Sequence, residues 1–171
     1  MRIFLIGYMG SGKTTVGRKI ASLIDAPFID LDTRIESSSG KSITELFSTG
    51  EDDFRKLERQ SLMEISKEPN LVVSTGGGTP CFFDNMEWMN QQGITVYLKL
   101  DPISLFHRLR ASKRPRPLIA GMEDDELLAY IEKNLTERES FYKKSKYQVK
   151  GESIDALSLV NNIRFGESQL R

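Results

Sequence analysis

The sequence contains very few of the residues on which several common chemistries depend. Its 171 residues include one cysteine, one histidine and one tryptophan. With Cys81 alone, an internal disulfide, a redox pair and a cysteine-based zinc site are all excluded, which fits a reducing compartment. The 24 basic and 24 acidic residues cancel, so no overall charge favours binding to nucleic acid or to an anionic membrane.

Long apolar runs are absent as well. No continuous apolar stretch approaches the roughly 18 residues that a membrane-spanning helix requires, and the N-terminus leads directly into a strand pattern without a cleavable leader. We therefore expect a cytoplasmic protein. The chain has no internal repeat, linker or low-complexity tract, and no apolar stripe demands a partner. We therefore expect a single domain over residues 1–171 and a monomer.

What the sequence does contain is a glycine-rich segment, residues 7–14, directly after the apolar run 3–6. This phosphate loop matches the pattern GxxxxGK followed by Ser or Thr through Gly7, Gly12, Lys13 and Thr14. Glycine allows dihedrals that are closed to other residues, so successive N–H groups turn inward around phosphate oxygens. Lys13 is expected to reach the outer phosphates, and the hydroxyl of Thr14 is expected to ligate Mg²⁺. The alternative, a glycine-rich turn that binds nothing, is disfavoured because an amphipathic helix follows and directs its positive dipole end at the same anion.

Strand and helix patterns alternate along the whole chain. Strands are predicted at residues 1–6, 28–32, 71–75, 94–98 and 147–150, and helical patterns at 14–25, 33–67, 83–91, 103–110, 124–144 and 154–165. This alternation predicts an α/β fold, a three-layer sandwich around a parallel sheet with right-handed crossovers. The helical stretch 33–67 is longer than a bare crossover needs, so we expect a small helical subdomain there.

The second predicted strand ends in two carboxylates, Asp30 and Asp32. Ligands of open parallel sheets bind beyond the carboxyl ends of the strands, so both side chains should lie at the edge that carries the phosphate loop. Strand alternation would place them on the same side. We expect Asp30 to serve the metal, through water, and Asp32 to orient an acceptor hydroxyl and take up its proton.

Two further segments indicate contact with a ligand. The third strand runs into Gly76, Gly77 and Gly78, which indicates backbone that passes close to a ligand or to another segment. The stretch 112–117 is basic and rich in proline. It is either a solvated connection or part of a lid that brings arginine onto a phosphate, and the phosphate loop favours the lid.

A phosphate loop by itself leaves a GTPase, an ATPase motor and a small-molecule or nucleotide kinase open. The sequence has no NKxD to read guanine, and the third strand ends in Ser74 and Thr75 instead of the aspartate of typical ATPases. Arg55 and Arg138 come from separate segments. Because the arginine fork matches a carboxylate, convergent arginines would suggest an acidic acceptor, although each alone is more commonly a surface residue.

These segments together resemble the shikimate kinases. The resemblance covers residues 1–150 and lies in residues 7–14, 28–32, 54–58, 74–78, 116–118 and 138–142, in the order and spacing of that family. It implies transfer of the γ-phosphoryl group of ATP to the 3-hydroxyl of shikimate, a step towards chorismate and the aromatic amino acids. The implied fold is the nucleoside monophosphate kinase type, with five parallel strands ordered 2-3-1-4-5, a substrate-binding subdomain near residues 33–60 and a lid near 111–123.

The resemblance also implies roles for individual residues. Shikimate would contact Asp32, Arg55, Gly77 and Arg138, with both arginines on its carboxylate and Asp32 as the base. The phosphates of ATP would lie against Gly10, Ser11, Gly12, Lys13, Thr14 and Thr15, with Mg²⁺ on Thr14 and on the side of Asp30. Arg116 matches the lid arginine that contacts ATP.

The sequence departs from the family pattern in two places. The lid has an additional Arg114, which could replace or assist Arg116, and Pro115 would stiffen it. Residues 152–155 lack the arginine or glutamine that family members often place against the nucleotide, which leaves Arg110 as the candidate for stacking on the base. The rival hypotheses are another kinase of this fold, for gluconate or a nucleoside monophosphate, and a regulatory module that has lost catalysis. The presence of Lys13, Asp32 and Arg116 argues against the second.

Overall fold

The computed structural model describes residues 1–65, 67–112, 116–151 and 154–169. Its centre is a parallel sheet of five strands in the order β2-β3-β1-β4-β5, which confirms the expected strand order. The strands are β1 (Arg2–Ile6), β2 (Phe28–Asp30), β3 (Leu71–Ser74), β4 (Ile94–Lys99) and β5 (Tyr147–Lys150).

Helices cover both faces of the sheet, as a three-layer sandwich requires. They are α1 (Lys13–Ile24), α2 (Leu31–Ser39), α3 (Ile43–Thr49), α4 (Glu51–Ile65), α5 (Asn85–Gln92), α6 (Pro102–Ala111), α7 (Asp124–Tyr142) and α8 (Ala156–Gln169), with short 3₁₀ turns at Thr79–Cys81 and Pro117–Ile119. The predicted helices are found at these places, with ends that differ by a few residues. No helix among the described residues is both long and apolar enough to cross a membrane.

Strand β1 lies in the middle of the sheet and is buried on both faces. Phe4 and Ile6 belong to the core on one face, while Ile3 and Leu5 pack on the other face against a core that includes α1 and α8. This explains the unbroken apolar run near the N-terminus, because the side chains on both faces of a covered parallel strand meet apolar neighbours.

The register of the sheet determines where the candidate site lies. Leu5 of β1 pairs with Ser74 of β3, and Ser74 pairs with Asp30 of β2. The carboxyl ends of three neighbouring strands therefore lie nearly level with one another. The phosphate loop, the three glycines after β3 and the acidic segment after β2 consequently leave the sheet at one edge, as parallel α/β sheets favour.

The second strand is shorter than predicted. It ends at Asp30, whose carboxylate accepts a hydrogen bond from the backbone N–H of Thr33 at 3.4 Å and so caps α2. Asp32 therefore lies in the first turn of a helix, and the prediction that strand alternation places it beside Asp30 is wrong. The helix begins early because an aspartate at the N-cap satisfies a backbone donor that would otherwise have no partner.

Two other helices begin at residues that cap them. Ser42 and Glu45 form a reciprocal capping box at the start of α3. Asp101 accepts a hydrogen bond from the backbone N–H of Ser104 at 2.9 Å and is followed by Pro102 at the first position of α6.

Candidate active site

The phosphate loop has the backbone shape that an anion site requires. Gly7, Gly10 and Gly12 have φ angles of 139°, 83° and 95°, values that residues with a side chain rarely adopt. A Cβ atom on Gly7 would also come within 2.9 Å of the carbonyl oxygen of Leu98. Helix α1 begins at Lys13, directly after the loop, so its first backbone N–H groups point to the place where phosphates would bind.

Lys13 is folded back into the loop. Its Nζ donates to the carbonyl oxygens of Gly7 at 2.8 Å and Tyr8 at 2.9 Å, and the residue is 8% exposed. Burial lowers the pKa of Lys13 to about 8, against the opposing effect of the negative charges on Asp32 and Asp30. A phosphate oxygen could therefore replace the two carbonyls as partner of the ammonium and would favour its charged form.

The structure brings the two expected magnesium ligands together. The hydroxyl of Thr14 donates to Oδ2 of Asp30 at 2.8 Å. Hydroxyl and carboxylate oxygens are hard donors of the kind that Mg²⁺ binds, and Mg²⁺ usually takes few protein ligands together with phosphates and water. The pair therefore fits a magnesium ion bound jointly with a nucleotide.

The three glycines, residues 76–78, form what we call the glycine turn, and functional side chains surround it. A Cβ atom on Gly76 would lie 2.7 Å from Oε1 of Glu58 and 3.1 Å from Oδ1 of Asp32. A Cβ atom on Gly78 would lie 2.6 Å from Nη2 of Arg55. The expectation that backbone passes close to other groups here is confirmed, and it explains why side chains are absent.

The middle glycine connects the turn to the phosphate loop and to α7. A Cβ atom on Gly77 would lie 3.4 Å from the backbone nitrogen of Met9 and 3.6 Å from Nη1 of Arg138. The glycine turn therefore touches Asp32, Arg138 and Arg55 through successive residues. The predicted acceptor residues, which come from three different helices, do converge.

Cys81 gives independent support for this convergence. Burial raises the pKa of its thiol to about 11, and the positive charges of Arg138 and Arg55 partly oppose that rise. Both guanidinium groups thus lie near the same thiol. The raised pKa also agrees with an inert, partly buried cysteine.

Arg55 is held by charge and by aromatic rings. Its Nη1 pairs with Glu58 at 2.8 Å and its Nη2 with Glu51 at 3.1 Å, and its side chain is 7% exposed. The guanidinium carbon lies 4.0 Å from the ring centroid of Phe82 and 5.2 Å from those of Phe47 and Phe54. Such stacking favours arginine over lysine and fixes the plane of the fork.

Glu58 is the buried partner that orients Arg55. It is 1% exposed, and its second oxygen accepts a hydrogen bond from the hydroxyl of Thr79. Sequence analysis did not assign it a role of its own. The signal was present, because residues three apart on a helix face the same way and an acid–arginine pair at that spacing can bond.

Arg138 lies beside the middle residue of the glycine turn. Its Nη2 donates to Oδ1 of Asn134 at 3.3 Å, and its guanidinium carbon is 5.6 Å from the ring centroid of Tyr8 in the phosphate loop. The hydroxyl of Tyr142, at the end of α7, donates to the carbonyl oxygen of Gly77 at 2.5 Å. Helix α7 therefore contacts both the phosphate loop and the glycine turn.

The described part of the expected lid places one arginine near Lys13. Burial is the main cause of the lowered pKa of Lys13, and Asp32 and Asp30 oppose it. The positive charge of Arg116 adds a smaller lowering effect, so the two cations are near each other. Ile119 is buried in the core and anchors this part of the segment. Arg114 and Pro115, which the sequence singled out, lie outside the described residues.

Arg110 is placed differently from the sequence-based expectation. Its Nε pairs with Asp124 at 2.7 Å and its Nη2 donates to the carbonyl oxygen of Met122 at 2.7 Å. The side chain thus holds the end of the lid segment to the start of α7. The structure does not bring it to the cleft beside the phosphate loop.

Arg108, which sequence analysis missed, lies at that cleft. A cavity of about 530 Å³ is lined by residues that include Gly12, Thr15, Arg108 and Gly151. The Nη2 of Arg108 donates to the carbonyl oxygen of Gly151 at 3.0 Å. The predicted phosphate contacts Ser11, Gly12 and Thr15 also line this cavity, while Glu152 lies outside the described residues.

The parallel sheet of order 2-3-1-4-5 with a phosphate loop after its central strand defines the chain as a P-loop kinase in fold. Residues 9–164 match the family model described as Shikimate kinase. A shikimate kinase of Phocaeicola vulgatus is 51% identical over 155 residues, which cover 90% of this chain and 89% of the relative. The chain belongs to the shikimate kinase family, and it is a small-molecule kinase.

Solved structures agree with this assignment. The crystal structure of shikimate kinase from Bacteroides thetaiotaomicron superposes with a TM-score of 0.91 at 45% identity and covers 98% of each chain. Shikimate kinase from Acinetobacter baumannii in complex with shikimate superposes with a TM-score of 0.83 at 32% identity, covering 99% of this chain and 94% of that one. The alternative of a kinase from another family of this fold is therefore set aside.

Proposed function

We propose that this protein transfers the γ-phosphoryl group of ATP to the 3-hydroxyl of shikimate, giving shikimate 3-phosphate and ADP in the biosynthesis of chorismate and aromatic amino acids. The observation that carries the proposal is the glycine turn, along which one carboxylate and two guanidinium groups lie beside successive residues. Shikimate presents the complementary groups, a carboxylate and ring hydroxyls. Membership of the shikimate kinase family supports the same acceptor.

The acceptor would be held by the side chains that lie along the glycine turn. Arg55 and Arg138 bind its carboxylate, because guanidinium groups match a carboxylate in bidentate geometry. Asp32 accepts the hydrogen bond of the attacking hydroxyl and takes its proton as the new O–P bond forms. Gly77 contributes a backbone contact to the acceptor, and its lack of a side chain leaves room for the hydroxylated ring of shikimate.

The phosphates of ATP would lie in the phosphate loop, against residues 10–15. Phosphoryl transfer needs an in-line acceptor and positive charge on the transferring oxygens more than it needs covalent help. Lys13 leaves its two loop carbonyls for the phosphate oxygens, and Arg116 adds positive charge from the lid segment. Arg108 lines the neighbouring cavity and is placed to contact the nucleoside end of ATP, where we expected Arg110.

Thr14 would hold Mg²⁺ directly, and Asp30 would hold it through water. When bound, the ion neutralises charge on the β- and γ-phosphate oxygens. The 2.8 Å bond between Thr14 and Asp30 supports a shared ion site, because the two oxygens lie together beside the loop. The hydroxyl of Thr14 would bind the cation through an oxygen lone pair and would keep donating its proton to Asp30.

We further propose that the protein works as a cytoplasmic monomer with two specialised segments. Residues 33–60 form the substrate-binding subdomain, which carries Arg55 on α4. Residues 111–123 form a lid that closes over the bound substrates and excludes water, so that phosphoryl transfer to water is suppressed.

The test is a panel of acceptors offered to the purified protein with ATP and Mg²⁺. Release of ADP and a product of phosphorylated mass are expected with shikimate, and neither is expected with gluconate or AMP. ADP release with gluconate or AMP and none with shikimate would contradict the proposal. Size-exclusion chromatography with light scattering tests the monomer separately.

A further inference from the structure

One hydroxyl group links the glycine turn to the helix that carries Arg138. Tyr142 is the last residue of α7 and stands four residues after Arg138, so the two side chains lie on the same face of the helix. Its hydroxyl donates to the carbonyl oxygen of Gly77 at 2.5 Å. The guanidinium group of Arg138 lies beside that same hydroxyl.

We propose that Tyr142 is a positioning residue for the acceptor site, whose hydroxyl fixes Gly77 and Arg138 relative to each other. The inference rests on the proposed function and adds to it a residue that does not itself touch the acceptor. A phenol has one proton to donate and lone pairs with which to accept. Tyr142 gives its proton to the glycine turn and leaves its lone pairs facing the arginine.

The surroundings keep this hydroxyl in the state and place that the role requires. Tyr142 is fully buried, and its ring packs on that of Tyr97 with centroids 5.1 Å apart. Burial raises the pKa of Tyr142 well above its ordinary value, and the nearby charge of Arg138 opposes this only in part. The phenol therefore stays protonated and remains a hydrogen-bond donor.

The glycine turn is the part of the site that most needs such a bond. Three glycines in succession have more conformational freedom than any other tripeptide, and ordering them costs correspondingly more entropy. The carbonyl of Gly77 is held by Tyr142, while the neighbouring amide and Arg138 are proposed to meet the acceptor. Removing the hydroxyl should release both contacts at once and leave the phosphate loop as it is.

The neighbouring Tyr97 provides a matched control. It is 1% exposed and its ring stacks on Tyr142, but its hydroxyl has no hydrogen-bond partner among the described residues. Tyr97→Phe and Tyr142→Phe therefore each remove one phenol oxygen from this pair of tyrosines. Only the second deletion breaks a bond to the glycine turn.

The experiment compares the wild-type enzyme with these two variants by steady-state kinetics, varying shikimate and ATP separately, and by thermal unfolding. Loss of a buried hydrogen bond predicts a rise in the KM for shikimate of about five- to twentyfold in Tyr142→Phe. The KM for ATP should stay within about twofold, because nucleotide contacts are unchanged. Tyr97→Phe should resemble the wild type in both constants.

Amide hydrogen exchange of the glycine turn without substrates gives a second readout, and exchange should be faster in Tyr142→Phe than in Tyr97→Phe. Equal kinetics and exchange in the two variants, or parallel changes in both KM values, would overturn the inference while leaving the proposed function intact. A wild-type enzyme that does not phosphorylate shikimate would overturn the proposed function and this inference with it.

Discussion

The guanidinium group of Arg55 lies directly against the backbone of Gly78. A Cβ atom at position 78 would come within 2.6 Å of Nη2 and 2.8 Å of Nη1. The absence of a side chain there is thus a condition for the buried position of Arg55 between Glu58 and the ring of Phe82. In the proposed acceptor site, the glycine would contribute through the space that it leaves to the arginine.

Gly78→Ala is expected to damage acceptor binding and to lower stability as well. The clash is with the guanidinium group of Arg55, and Arg55 cannot move aside without leaving the buried carboxylate of Glu58 unpaired, which costs about 3–5 kcal/mol. Loss of one carboxylate contact should raise the KM for shikimate by about tenfold or more, since hydrogen bonds to charged groups are worth about 1.5–3 kcal/mol. Steady-state kinetics and the thermal midpoint, measured on the same preparation, check both parts.

Gly93→Ala is the control, a variant expected to lose stability without losing acceptor binding. Its Cβ atom would meet the backbone oxygen of Arg2 at 2.5 Å, at the far end of the sheet, and backbone cannot move aside so easily. This variant should lose thermal stability and keep the wild-type KM for shikimate. If Gly78→Ala behaved in the same way, Arg55 would have no special dependence on position 78.

Nucleotide binding is expected to take up protons near pH 8. Burial sets the pKa of Lys13 at about 8 in the free protein, so at that pH about half of the molecules carry a neutral lysine. Phosphate favours the charged ammonium and raises its pKa, and each bound ATP should therefore take up about half a proton at pH 8 and almost none at pH 6.5. Titration calorimetry in two buffers of different ionisation enthalpy measures this number.

Lys13→Arg is the control for that measurement, because arginine keeps its charge across this range. The proton uptake at pH 8 should disappear in this variant even if its affinity for ATP is lower. The same uptake in both proteins would assign the proton to another group.

The comparison of sequence with structure shows which features depend on local chemistry. The phosphate loop and the close approach at the glycine turn follow from backbone requirements of short segments, so the sequence was sufficient to predict them. The strand order came from the resemblance to a family. Asp32 was expected on a strand because the apolar pattern could not reveal that Asp30 would cap a helix.

The cleft beside the phosphate loop shows what the local sequence pattern could not predict. Arg108 and Arg110 stand two residues apart on α6 and therefore face different directions. Nothing in the local pattern says which direction faces the phosphate loop, because that depends on how α6 packs against distant parts of the chain such as α7. The basic end of the helix led to the prediction that Arg110 contacts the base of the nucleotide, whereas Arg108 lines the cavity.

Asp32→Asn is expected to abolish most turnover and to affect nucleotide binding only slightly. The amide cannot take the proton of the attacking hydroxyl, and loss of a general base lowers turnover by about 10²- to 10⁴-fold. Its carboxylate also supports the charge on Lys13, so ATP affinity should fall somewhat more at pH 8 than at pH 7. Single-turnover rates and ADP binding by calorimetry separate the two effects.

Asp53→Asn is a matched control, since this exposed carboxylate of α4 pairs only with Lys56 among the described residues, at 3.2 Å. It should leave turnover unchanged, as exposed ion pairs contribute little. An unchanged rate in Asp32→Asn would remove Asp32 from the role of base.

Arg138→Lys should weaken acceptor binding specifically, because lysine keeps the charge and loses the planar fork. We expect the KM for shikimate to rise by about tenfold or more and the KM for ATP to change little. Arg59→Lys is the control: Arg59 also pairs with a carboxylate, Asp84 at 2.6 Å, and lies over Trp88, but on the side of α4 that faces α5. That variant should keep both KM values. A residue that binds only the acceptor carboxylate should not change the KM for ATP directly. An equal rise of the two KM values in Arg138→Lys would therefore show that Arg138 acts on the nucleotide as much as on the acceptor.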